Sequence, residues 1–239
     1  PQLSSIRFGF ESARWSLEAK GSQKMIDTPF SRGEEAITIN GLVWMGDKRT
    51  MLRRMREKID SGFRCVKLKI GGIDFQEELS ILDTLRKEFT VEDIELRLDA
   101  NGAFSPENAM ERLERLSRYN IHSIEQPIRA GQWQEMARLC EHSPIPIALD
   151  EELIGFSSDA SKEMLLDTVQ PQYIILKPAL CGGFAEADRW INIAKERNIG
   201  WWATSALESN IGLSAIAQWV ARYRPTIPQG LGTGLLYTD

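Results

Sequence analysis

Two lysines two residues apart, Lys67 and Lys69, sit in the run "VKLKIGG", and three carboxylates follow at nearly equal intervals. Asp99, Glu125 and Asp150 are separated by 26 and 25 residues, and Lys177 comes 27 residues later. Each closes a short apolar or β-branched run: "IELRLDANG", "IHSIEQP", "IPIALDEE" and "QYIILKP". Residues two apart on a strand share a face, so Lys67 goes with Lys69, and Arg97 with Asp99 and Asn101. Three oxygen donors without His or Cys suit a hard cation. Mg2+ fits best, because it takes a few carboxylates and keeps positions for water and substrate, with Mn2+ as a substitute. The only histidines are His122 and His142, which nearly excludes a His-based triad or a His-rich zinc site. Proton transfer must then rest on Lys, Asp and Glu.

Taken singly, each residue has a blander reading. Lys-x-Lys is usually a wet strand, Glu-Gln-Pro a turn, and Lys177 before Pro178 a surface lysine. Asp150, followed by Glu151 and Glu152, can simply start a helix. Their arrival at the same end of successive strands argues for chemistry instead. His122 reads as a packing residue and His142 as a surface one.

The elements that must carry these residues repeat about every 25 residues, short apolar runs alternating with longer amphipathic stretches. Besides the four runs above, "AITINGLVWMG", "RCVKLKIGG", "IGWWATSAL" and, weakly, "TIPQGLG" read as strands. The helical patterns include "DFQEELSILDTLRKEF" and "SPENAMERLERLSRY", the second with Ser105 as N-cap and Pro106 at the first helical position. Seven βα units plus a final strand predict either an open doubly wound sheet or a closed barrel. No G-x-G-x-x-G opens a helix, and strand count and length favour the barrel. The fold class expected is α/β, a TIM-type (β/α)7β barrel over 37–239, with 1–36 as a leading helix and linker. Active sites of such barrels lie at the C-terminal strand ends, where the lysines and carboxylates fall.

Bulk properties narrow the partners. With 239 residues, 29 Lys+Arg and 34 Asp+Glu, the net charge of −5 argues against nucleic acid. No apolar run approaches a membrane span. Three widely spaced cysteines, Cys65, Cys140 and Cys181, suit a reducing cytoplasm better than a disulfide framework. The sequence leaves room for a homo-oligomer. Because the chain begins at Pro1 and stops after "GLLYTD", it is expected to be a segment of a longer protein.

The ordered set Lys-x-Lys, Asp-x-Asn, Glu-Gln-Pro, Asp-Glu, Lys-Pro and Ser-x-x-Glu-Ser resembles the enolase superfamily, specifically its muconate-lactonizing-enzyme subgroup. "LRLDANGAF", "SIEQPI", "ALDEEL", "LKPALCGG" and "TSALESNIGLSAIAQW" look most like its dehydrating members. Epimerases of the subgroup typically carry Asp-x-Asp near the last strand, where this chain reads Gly232-Thr233-Gly234. The resemblance implies Mg2+ on Asp99, Glu125 and Asp150, supported by Asn101, Glu151 and Glu208. It implies Lys69 as general base, Lys67 as its electrostatic neighbour and Lys177 as a cation on the other substrate face. Arg97, Asn101, Ser205 and the backbone at Gly232 are the expected substrate contacts, and the partner that the resemblance implies is a small-molecule carboxylate. The α+β capping domain of such enzymes is expected to be largely absent here. Racemisation or epimerisation using Lys69 and Lys177 is the alternative. A Schiff-base aldolase on Lys177 leaves the three carboxylates unexplained, and a non-catalytic small-molecule or metal-binding barrel is suggested only by the expected absence of the capping domain.

Overall fold

The computed structural model describes residues 3–233. Seven strands lie side by side in chain order: β1 (Gly41–Val43), β2 (Cys65–Lys69), β3 (Glu95–Asp99), β4 (Ile121–Glu125), β5 (Ile147–Leu149), β6 (Tyr173–Leu176) and β7 (Gly200–Ala203). The pairings from β1 to β6 are all parallel. The helices among the described residues are α1 (Ser4–Glu18), α2 (Pro29–Arg32), α3 (Lys48–Asp60), α4 (Phe75–Glu88), α5 (Pro106–Leu116), α6 (Trp133–His142), α7 (Asp159–Val169), α8 (Pro178–Cys181), α9 (Phe184–Glu196) and α10 (Asn210–Ala221). None is long and apolar enough to cross a membrane.

The strands form where the sequence is apolar without interruption. β2 is buried at all five positions, lysines included, as expected of parallel strands covered on both faces. The helices bury one stripe each, for example Met51 and Met55 on α3, and Ala109, Leu113 and Leu116 on α5. The expected start of α5 holds: Pro106 is in the first turn, and Ser105 N donates to Asn108 Oδ1 at 3.2 Å.

Two compact units make up the chain. One combines the residues up to Ile39 with Leu153–Glu163 and everything from Ile175; the other combines Asn40–Glu152 with Met164–Ile174. In the first unit, "TIPQGLG" makes two single parallel bridges, Ile39 with Gln229 and Thr204 with Gly230, rather than a continuous strand. Pro228 has no N–H to give to a ladder, and the Gln229 side chain, rather than a backbone carbonyl, accepts from an amide of β7. Its Oε1 accepts from Ala203 N at 2.8 Å, and the residue is fully buried. Two short helices escaped the periodicity argument. α2, capped by Thr28, and α8, directly after Lys177, each span four residues, too few to show a 3.6-residue repeat.

Candidate active site

The pairing register assembles the centre of the site within the second unit. Lys69 pairs with Asp99, Asp99 with Glu125, and Glu125 with Ala148, so these residues form one layer across β2–β5. Asp150 is two residues beyond Ala148, on the same side of β5 by strand parity. Lys67 starts one layer lower, paired with Arg97. Its long side chain still reaches the layer above, placing Nζ 3.0 Å from Asp99 Oδ2 and 2.7 Å from Glu125 Oε2. Lys69 Nζ is 2.9 Å from the same Asp99 oxygen and donates to Asn101 Oδ1 at 2.6 Å. The Trp44 ring lies beside it, 5.1 Å from Nζ to the centroid. Asn101 in turn donates from Nδ2 to Glu151 Oε1 at 2.9 Å.

Burial makes these charges matter. Glu125 has no exposed surface, and Asp99 and Asp150 are almost as enclosed. Burial pushes the Glu125 carboxyl up to about 8, against the pull of Lys67 and with the help of the Asp99 and Asp150 charges. Burial would also raise Asp99, but the ammoniums of Lys67 and Lys69 outweigh it and hold that carboxyl well below the usual range. Lys67 loses hydration by burial, yet Glu125, Asp99 and Asp150 keep it firmly protonated, above the ordinary lysine value.

Among the described residues no group of three or more His, Cys, Asp or Glu side chains is arranged as a finished metal shell. The Lys67 ammonium stands between two of the expected ligands. The donor chemistry nevertheless fits Mg2+. All three expected ligands are carboxylates, burial and then the Asp99 and Asp150 charges raise Glu125, and Glu125 Oε1 is buried without a hydrogen-bond partner.

Several positioning residues were not singled out from sequence. Gln126 is 1% exposed and left-handed at φ +40°. Its Oε1 accepts from Asp150 N at 3.2 Å, and its Nε2 donates to Glu152 Oε2 at 3.0 Å, tying the end of β4 to the end of β5. Glu152 is buried and also accepts from Gly131 N at 2.7 Å. Glu78, buried on α4, accepts from Gly71 N at 2.5 Å and so holds the turn that follows Lys69. Gly71 itself is at φ +87°, and a Cβ there would overlap Ala103. The signal for Gln126 was present, since it is the middle of Glu-Gln-Pro. Nothing in the sequence marked Glu78 or Trp44.

Arg97 is fully buried, and its Nε donates to Glu95 Oε1 at 2.8 Å, toward the start of its own strand. There it supports Glu95, and its expected part as a substrate contact stands as a proposal. The remaining expected residues belong to the first unit. Lys177 caps α8, its carbonyl accepting from Leu180 N at 2.8 Å and Cys181 N at 2.9 Å. Ser205 Oγ donates to Glu208 Oε2 at 2.6 Å, and Glu208 Oε1 is buried without a partner. Gly232 is partly exposed.

A parallel α/β sheet with lysines and carboxylates at its strand ends defines the class, and residues 50–232 match the enolase C-terminal domain-like family. The chain belongs to that family. It is 54% identical over 235 residues to an o-succinylbenzoate synthase of Desulfotalea psychrophila, covering 98% of this chain and 64% of that protein. A crystal structure of MenC from the same organism matches with a TM-score of 0.86 and 55% identity, over 92% of this chain and 60% of that one. An L-amino acid-D/L-Glu epimerase of Francisella philomiragia is 27% identical over 205 residues, 85% of this chain and 52% of that protein. The chain thus spans less than two thirds of the length of these relatives.

Proposed function

We propose that this chain carries the catalytic domain of an o-succinylbenzoate synthase, a carbon–oxygen lyase of menaquinone biosynthesis. It would remove water from 2-succinyl-6-hydroxy-2,4-cyclohexadiene-1-carboxylate. The observation that carries the reading is the 54% identity to a synthase of that name over 98% of the chain. When bound by Asp99, Glu125 and Asp150, Mg2+ would supply divalent charge beside the substrate carboxylate, where proton removal builds negative charge.

The chain's own residues handle the proton. Lys69 Nζ, beside Asp99 and Asn101, takes the proton α to the carboxylate. It then gives a proton to the departing hydroxyl on the same face, so water leaves and the amine is regenerated. Lys67, held protonated by Asp99 and Glu125, keeps a fixed positive charge next to the reacting carbon. Lys177 stays cationic on the opposite face of the substrate and offsets the charge of the enediolate. Asn101 and Glu151 orient Lys69, and Ser205, Glu208 and the Gly232 backbone are assigned to the succinyl tail and its surroundings. The three cysteines are free and buried, which supports a cytoplasmic setting.

The test is turnover of the dehydratase substrate by the full-length protein with Mg2+. Lys69→Ala should abolish it while Mg2+ affinity by calorimetry stays within about threefold. A Lys69→Ala protein with near-normal kcat would refute the base assignment. The 27% identity to an epimerase supports a second reading, with Lys69 and Lys177 as bases on two faces. Deuterium exchange into both enantiomers of an acylated amino acid, without consumption of the dehydratase substrate, would favour it.

A further inference from the structure

The turn that carries Lys177 is held at its far end by a residue of the leading helix, 166 positions earlier. Between Lys177 and α9 the chain makes one helical turn, α8, and then passes through Gly182 and Gly183 at φ +111° and +91°. Two successive glycines at positive φ are a loose exit, since glycine resists these conformations less than any other residue. Three contacts from α1 remove that freedom. Ser5 Oγ donates to Ala179 O at 3.0 Å. The Glu11 carboxylate accepts from Phe184 N, the first amide of α9. Trp15 and Phe8 pack on the Phe184 ring at centroid distances of 4.3 and 5.0 Å.

The fit is close enough that a Cβ on Gly183 would overlap the Glu11 carboxylate. A carboxylate at a helix N-terminus also satisfies an amide that has no partner within the helix and meets the positive end of the dipole. At the other end of the turn, the Lys177 carbonyl is the acceptor that starts α8, through Leu180 N and Cys181 N. The ψ angle of Lys177 is therefore tied to the direction of α8, and α8 is pinned where Glu11 pins the start of α9.

We propose that Glu11 is a positioning residue for Lys177. It acts through the α8–α9 junction and touches no substrate. The proposal rests on the assignment of Lys177 as a catalytic cation. In those terms α1 is part of the catalytic apparatus, although it lies outside the βα repeat.

The experiment uses the full-length protein with Mg2+ and the dehydratase substrate, comparing Glu11→Ala, Glu11→Gln and Lys177→Ala. A displacement of about 1 Å at a catalytic group costs on the order of 100-fold, so Glu11→Ala should lower kcat by about 10- to 100-fold. KM should stay within about threefold, because substrate binding is left in place. Glu11→Gln keeps an oxygen that accepts from Phe184 N and should recover kcat to within about threefold of the unaltered protein. The proposal is overturned if Glu11→Ala keeps kcat within about twofold. It is equally overturned if kcat, KM and the unfolding midpoint all worsen together and Glu11→Gln restores none of them. If Lys177→Ala itself turns over normally, the assignment of Lys177 fails, which is a different result from a silent Glu11.

Discussion

Replacing Lys67 with Met removes an ammonium that bridges Asp99 and Glu125 and puts an apolar chain of similar length in its place. At the observed separations of 3.0 and 2.7 Å, the gross attraction is about 5 to 6 kcal/mol per pair for an effective dielectric near 20. Most of that offsets the cost of taking three charged groups out of water. The relevant quantity is the penalty of leaving the carboxylates without their partner, about 3–5 kcal/mol for a broken buried pair. The site adds to it, since the Asp150 charge also bears on Glu125, and Asp99 is left beside the Lys69 ammonium. Urea denaturation in the presence of EDTA above about pH 8, where the Glu125 carboxyl is ionised, should therefore show Lys67→Met less stable by about 3–5 kcal/mol, with an unchanged m-value. Millimolar Mg2+ should restore more stability to this variant than to the unaltered protein, because a divalent cation replaces the lost charge. A variant within about 1 kcal/mol of the original in EDTA would refute the reasoning, because it would mean the carboxylates do not need Lys67. So would an equal response of both proteins to Mg2+.

Two other outcomes follow from the same geometry. Gln126→Ala breaks the link between the ends of β4 and β5, and calorimetry should show Mg2+ affinity falling by about 10- to 100-fold. Affinity within about twofold would show that Asp150 is placed without it. His122 should titrate below its ordinary value of 6.5, because burial, joined by the Arg97 charge, outweighs the attraction of Glu95. The neutral ring is then favoured in the folded state, so its contribution to stability is present above pH 6.5 and fades as pH falls through the lowered value. An imidazole proton titration followed by NMR, with a midpoint at or above 6.5, would contradict this.

The βα order and the strand ends were legible because buried parallel strands are uninterrupted apolar runs, and those runs stop at Lys69, Asp99, Glu125 and Asp150. What parity could not supply was the direction of long side chains. Lys67 and Arg97 are paired neighbours in one layer, yet Lys67 reaches forward to Glu125 and Arg97 contacts Glu95 behind it. A flexible stem lets the charged end settle where its partner is. Contacts made across long sequence separations were equally silent. Gln229 beside Ala203 and Glu11 at Phe184 each serve a backbone amide that no local pattern announces. The left-handed backbone of Asn101 and Gln126 was hidden as well, since both sit inside motifs that read as strand ends.

Because Lys69, Asp99 and Glu125 are matched residue against residue across β2, β3 and β4, their arrangement is indifferent to how much chain runs between them. Extra turns in α4 or α5 would lengthen the intervals without moving a single site oxygen. One residue added within Cys65–Lys69 would instead turn one of its lysines to the opposite face of the sheet. The chemistry is stored as phase rather than as distance.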